Sequence, residues 1–265
     1  MSSYDHLLVS EEGNGVLLVR FNRPEVMNAV NTAMGKELLD VFTKINQGGL
    51  PDTRVVLLTG AGARAFCAGG DLKERNGMAV EQWAAQRIIF KQYNLAMERC
   101  PLPIICAVNG VALGGGAEMV LRSDFSYAAE NATFGFPEIK RGFIPGSGGT
   151  QRFPRLVGAA RGLEVLLTGA TFTARSAHDW GMVNEVTTPD ELIPRALAVA
   201  RTIASHSSDA VRTLKSCIRQ GLQTDIETGL MLEAFAQQRL VASPDRLEGI
   251  AAFVEKREPK WQDKQ

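Results

Sequence analysis

Four short runs of mostly apolar, branched residues, at 15–21, 54–59, 103–108 and 124–129, alternate with helical patterns in the first half of the chain. Runs of this length suit strands and are too short for helices, whereas the stretches at 34–45 and 80–97 carry apolar residues at helical spacing. Strands that alternate with helices need crossover connections, which predicts an α/β fold. From about residue 148 the strand signals nearly vanish and helix follows helix. Leu192, Ile193, Ala196, Leu197, Ala200, Ile203 and Ala204 form one apolar stripe. Thr224-Asp225-Ile226-Glu227 has the pattern of a capping box, and Ser243 followed by Pro244 marks another helix start. No low-complexity linker separates the halves. The expected organisation is an α/β core over residues 1–195 and a helical C-terminal region over 196–265, packed on the core or on a neighbouring subunit.

The totals narrow the function classes. Hydrophobic residues make up 45% and charged residues 22% of the 265, as in ordinary globular proteins. Lys plus Arg and Asp plus Glu both number 29, so the basic surplus of a general nucleic-acid binder is missing. Cys67, Cys100, Cys106 and Cys217 form no Cys-x-x-Cys pair, and they read as buried free thiols in a reducing compartment, not as zinc or redox ligands. No apolar run approaches the ~20 residues of a membrane span. Residues 1–10 show neither a signal-peptide core nor an Arg-rich transit pattern, so the expected location is cytoplasmic.

Chemistry concentrates at three glycine-rich turns and two glutamates. Glu118 ends the stretch from Gly110 through Gly114-Gly115-Gly116-Ala117. Glu138 follows Phe134-Gly135-Phe136-Pro137 and precedes Ile144-Pro145-Gly146-Ser147-Gly148-Gly149. The third turn is Ala68-Gly69-Gly70-Asp71. Glycine turns can aim bare backbone N–H groups at a developing negative charge, and two carboxylates can move protons. The N–H groups of Gly70 and Gly115, each just ahead of an expected helix, are candidate donors to a carbonyl oxygen that becomes an enolate. That combination suits addition or removal of water beside a carbonyl. Plainer readings stand beside it: a triple glycine serves tight helix–sheet packing, and a first-turn glutamate is favourable to the helix dipole. Met119 stands where a dinucleotide fingerprint needs its third glycine, and no Gly-Lys-Ser/Thr follows any glycine run. A glycosidase also uses paired carboxylates, but aromatic residues amount to 7%, which gives little hint of a sugar platform.

These residues resemble the enoyl-CoA hydratase/isomerase (crotonase) family over nearly the whole chain. The likeness runs from Phe21-Asn22-Arg23-Pro24 and Asn28-Ala29 to Arg246-Leu247-Glu248-Gly249 and Glu255-Lys256-Arg257. Its most specific parts are 110–124 and 134–152, the latter ending in Gly148-Gly149-Thr150-Gln151-Arg152. The resemblance implies a crotonase-like spiral of ββα repeats with a helical C-terminal trimerisation region. It implies homotrimers, often paired into hexamers, and a coenzyme A thioester as substrate with no metal or redox cofactor. The thioester oxygen would accept from Gly70 and Gly115, and Gly146 would help orient the water. Glu138 would exchange the proton at the α-carbon while Glu118 activates the water adding at the β-carbon. Coenzyme A contacts carry over to Val26, Asn28, Ala68, Asp71, Leu72 and Lys73, mostly through backbone. Lys73 also reads as a solvated surface lysine.

Two departures from the family pattern stand out. Gly70 occupies a position where many members have alanine, and Phe136 replaces a common polar residue, which would alter the pocket wall. Possession of both glutamates favours hydration of a trans-2-enoyl-CoA, as in fatty acid β-oxidation, over Δ3,Δ2-enoyl-CoA isomerisation. The segment Gly70-Asp71-Leu72-Lys73-Glu74-Arg75 looks like the 3-methylglutaconyl-CoA hydratase branch. Some members of that branch bind AU-rich RNA through a lysine-rich helix. The matching stretch here, 36–44, is charge-balanced, so no nucleic-acid partner is expected. Trp83 and Phe90, seven apart at helical spacing, read first as a plain core stripe.

Overall fold

The computed structural model describes residues 4–262. Strands β1 (Leu7–Glu11) and β2 (Val16–Phe21) form an antiparallel pair, followed by helix α1 (Thr32–Asn46). The chain then repeats one pattern, in which a strand of the larger sheet is followed by a short strand of a smaller sheet and then by helix. The first turn is β3 (Val55–Gly60), β4 (Ala65–Cys67), α2 (Leu72–Arg75) and α3 (Val80–Glu98). The second is β5 (Ile104–Val108), β6 (Val111–Leu113) and α4 (Gly115–Arg122). The third is β7 (Phe125–Ala129), β8 (Thr133–Gly135), a 3-10 turn over Pro137–Arg141, α5 (Gly149–Val157) and α6 (Ala159–Thr168). Then come β9 (Thr171–Thr173), α7 (Ala174–Asp179), β10 (Glu185–Thr187) and α8 (Pro189–Ala204). The chain closes with α9 (Ser208–Gly221), α10 (Ile226–Val241) and α11 (Pro244–Glu255).

The larger sheet has the order β1-β2-β3-β5-β7-β10 and is parallel from β2 onward; the smaller one runs β4-β6-β8-β9. This winding is the expected spiral of ββα repeats. Its central strands are buried on both faces, which explains why they read as apolar runs without alternation. Leu17, Val19, Val56, Leu58, Ile104 and Cys106 face the core shared with α1 and the smaller sheet, while Leu18, Val55, Leu57, Ile105 and Ala107 face α8. The α8 stripe Leu192, Ala196, Ala200 and Ala204 is small enough for the helix to lie close on the sheet. Burying each Val or Leu side chain in these layers is worth about 1.5–3 kcal/mol.

Helix α8 runs across the division at 195/196 anticipated from sequence and packs on the larger sheet. Beyond it, α9 is tied to the core through Asp124, which takes Lys215 Nζ at 2.8 Å and Arg219 Nε at 2.9 Å. Helix α10 pairs with α9 and buries none of its residues. Asp225, not Thr224, caps α10 by accepting from the Thr228 N–H, so the helix starts one residue later than the capping-box pattern implied. Ser243 and Pro244 open α11 as expected. The cysteines are free, with Cys67, Cys100 and Cys106 buried and Cys217 half-buried. Among the described residues no helix is long and apolar enough to cross a membrane.

Candidate active site

The turn after β4 is stitched to the segment after β2. The Ala68 N–H donates to Met27 O at 3.0 Å, Val30 N–H to Gly69 O at 2.8 Å, and Asp71 N–H to Val30 O at 2.9 Å. The last two bonds use the groups flanking Gly70, so the Gly70 N–H is turned away from Val30 and has no partner among the described residues. Gly115 opens α4, where an N–H lacks an intrahelical acceptor. A methyl group on Gly115 would lie 3.9 Å from the Gly70 nitrogen, so the two amides sit side by side. Gly69 and Gly114, the residues before them, hold φ of +92° and +50°, which glycine adopts at little cost.

Helix α4 carries Glu118 inward. Its register is fixed by Gly116, where any side chain would collide with the Cys67 carbonyl oxygen, 2.0 Å from an ideal β-carbon. Glu118 is 3% exposed, and its Oε1 accepts from the N–H groups of Ser147 at 2.7 Å and Gly149 at 2.8 Å. Behind it, buried Arg122 donates to Asn94 Oδ1 at 2.7 Å and to the Ser147 carbonyl, while Asn94 Nδ2 donates to Ser147 Oγ at 3.0 Å. Burial pushes the Glu118 pKa up, opposed by the Gly149 and Ser147 amides and by the Arg122 charge.

Glu138 reaches the same place from the 3-10 turn after β8. Its Oε1 lies 2.7 Å from where a β-carbon on Gly114 would be, and Glu138 is 8% exposed. Its Oε2 is buried without a hydrogen-bond partner among the described residues. Burial, with the Glu118 charge adding to it, pushes the Glu138 carboxyl up to about 7. Two acids, one held by the amides of Ser147 and Gly149 and one with an oxygen left without a donor, thus flank a pair of unengaged N–H groups.

Other residues singled out from sequence fare differently. Gly146 is exposed, and it is its neighbours Ser147 and Gly149 whose amides meet Glu118; neither was anticipated. Arg122 was also missed, although a cation inside the apolar run Met119-Val120-Leu121 was its signal. The turn containing Val26 and Asn28 does lie against Ala68 through the bonds above. The Asn28 side chain, however, is fully buried and committed, accepting from Arg23 N–H and donating to Ala61 O and Ala65 O. Asp71 is buried too: it caps α2 through the Lys73 and Glu74 amides and pairs with Arg23 at 2.8 Å. Burial opposes its ionisation, yet Arg23 and these amides hold its pKa below the usual value. Leu72 and Lys73 are exposed beside it.

Phe136 proves to be a core residue, fully buried with its ring 5.0 Å from that of Phe153, so it backs the site and does not form a free pocket wall. The core-stripe reading holds for Phe90, half-buried and packed against the core, but not for Trp83, half-buried and outside that cluster; the Arg75 guanidinium lies over the two rings at 5.2 and 5.0 Å. Among the described residues no group of three His, Cys, Asp or Glu side chains is arranged to hold a metal.

Comparison with known proteins places the chain in a family. The sequence profile described as Enoyl-CoA hydratase/isomerase matches residues 11–264. The chain is 37% identical to a crotonyl-CoA hydratase of Syntrophomonas wolfei, over 96% of this chain and 97% of that protein. It is 36% identical to a short-chain-enoyl-CoA hydratase of Clostridium acetobutylicum, over 96% of each. A crystal structure of an enoyl-CoA hydratase from Bacillus anthracis superposes with a TM-score of 0.93 at 41% identity, covering 97% of this chain and 99% of that one. With profile, relatives and fold in agreement over almost its whole length, the chain belongs to the enoyl-CoA hydratase/isomerase family.

Proposed function

We propose that the protein is an enoyl-CoA hydratase, a hydro-lyase that adds water reversibly to a 2-enoyl-CoA thioester. The observation that carries the reading is the placement of two buried glutamates, one bound by two amides and one with an oxygen lacking a donor, around the Gly70 and Gly115 amides. In this reading the thioester oxygen accepts from both amides as negative charge develops on it, an arrangement in which loss of one donor typically costs about 10²–10³ in rate. Glu118, whose carboxylate is stabilised by Ser147 and Gly149, takes a proton from the water that attacks the β-carbon. Glu138, which retains its proton toward neutral pH, delivers it to the α-carbon. The reverse reaction exchanges these roles.

The coenzyme A moiety is placed along the Pro24–Val26 turn and Ala68, with backbone groups and the exposed Lys73 as its contacts. Exposed apolar residues on α10 and α11, Phe235 at 70% and Phe253 at 85%, support assembly into trimers or hexamers through the C-terminal helices. Hydration of crotonyl-CoA, followed by loss of enoyl-thioester absorbance, tests the reading. A protein that moves the double bond in deuterated water but adds no hydroxyl group would be an isomerase instead.

A further inference from the structure

Glu98, the last residue of α3, sits where the helix dipole disfavours an acid, yet arginines from three other elements converge on it. Its Oε2 accepts from Arg152 Nη2 of α5 at 2.5 Å and lies 3.5 Å from Nε of Arg122, which ends α4. Its Oε1 lies 3.9 Å from Arg219 Nη1 of α9. Arg219 also meets the end of α4 directly, since its Nη2 donates to the Arg122 carbonyl oxygen at 2.7 Å.

Both arginines on Oε2 grip the loop whose amides hold Glu118. Arg122 donates to the Ser147 carbonyl oxygen and to Asn94 Oδ1, and Asn94 in turn fixes Ser147 Oγ. Arg152 folds back over Gly148, where a β-carbon would lie 3.2 Å from its Nε. Gly148, with φ of +110°, stands between Ser147 and Gly149, the two residues that donate to Glu118 at 2.7 and 2.8 Å. Glu98 therefore joins the Ser147 side of the loop to the Gly148 side. Arg122 depends on it for charge as well: burial works against that cation, and the charges of Tyr93, Glu118 and Glu98 work for it.

We propose that Glu98 is a positioning residue for hydration, tying Arg122 to Arg152 across residues 147–149 and so setting the amide pair that receives the Glu118 carboxylate. Arg219 brings α9 into the same support, so the C-terminal region holds the site in shape. The inference rests on the hydratase reading above and adds to it a residue that acts through Arg122 and Arg152.

The test compares Glu98→Gln with Lys215→Met, which cuts a tie of α9 to Asp124 and leaves Glu98 and its arginines in place. Glu98→Gln should lower kcat for crotonyl-CoA about tenfold with KM unchanged, short of the ~10²-fold that a 1 Å misplacement costs. The shape of the kcat–pH profile decides the matter, because it does not depend on how much of a variant is folded. The charged and titratable groups facing Glu118 are Arg122 on its own helix, Glu138 from the 3-10 turn and Tyr93 on α3. With its amides loosened the Glu118 carboxylate is held less well, so the acidic limb of hydration should move up by about half a unit. Loss of a bare negative charge would move that limb down instead. Lys215→Met should lower the melting temperature and leave the limb where it is. An unchanged kcat, an unmoved or lowered limb in Glu98→Gln, or an equal shift in Lys215→Met overturns the proposal while leaving the hydratase reading intact. Absence of hydration in the wild-type protein overturns both.

Discussion

Glu118 and Glu138 are the same residue type, buried to similar depth, in opposite surroundings. Around Glu118 the chain supplies two backbone donors and, one helical turn on, the buried cation of Arg122. Around Glu138 it supplies burial, the glycine at 114, its own amide and the neighbouring negative charge of Glu118 against the favourable charge of Arg141, leaving one oxygen without a donor. The difference teaches that, in the proposed mechanism, the division between base and acid is set by what each carboxyl is given to hold, in the manner of paired titrating groups whose surroundings push them apart.

The largest expected effect comes from removing either charge. Glu118→Gln and Glu138→Gln should each lower kcat for hydration by about 10³-fold or more, the upper part of the range for positioned acids and bases. Near-normal turnover in either variant would end the comparison. Next comes Arg122→Met, which keeps volume but frees the Ser147 carbonyl and removes the cation behind Glu118. Turnover should fall about 10–100-fold with KM little changed; a rise in KM alone would place Arg122 with substrate binding.

A pH profile sharpens the contrast further. In the proposed mechanism both directions need one proton on the acid pair, on Glu138 for hydration and on Glu118 for dehydration. The Glu138 carboxyl is pushed up to about 7, so kcat should decline by about tenfold per unit above that pH in both directions. A flat hydration profile from pH 6 to 9 contradicts the assignment of Glu138 as the acid.

The smallest effect is on stability. A carboxyl raised to about 7 in the folded state binds more protons than the unfolded chain between roughly pH 4.5 and 7, so stability falls as pH rises through that window. Glu138→Gln escapes this loss. Its advantage over wild type should be absent below about pH 4.5, grow to about pH 7 and level off above. Thermal melts at pH 5 and pH 8 measure it.

Much of this was legible in the chain itself. The four apolar runs fell on β2, β3, β5 and β7 because strands buried on both faces show as uninterrupted hydrophobic segments. The short strands β4, β6, β8, β9 and β10, of three residues each, left no such trace, since three residues carry no period. Glu118, Glu138, Gly70 and Gly115 stood out because glycine clusters beside acids are chemically uncommon. Ser147 and Gly149 did not, because a backbone amide has no sequence signature and its aim depends on a loop that only the tertiary structure fixes. Trp83 misled for a related reason: helical spacing puts it on the face of Phe90, which does pack against the core, but is silent on how far along the helix that face stays covered.

One contact has a wider consequence. At Gly116 the helix bearing Glu118 rests directly on the carbonyl of Cys67, with no clearance for even a methyl group. The strand end that leads to the Gly70 amide and the helix that begins with the Gly115 amide are therefore pressed into a single rigid block. A disturbance to either piece shifts donor pair and carboxylate in concert, so this part of the alignment is inherited from backbone contact.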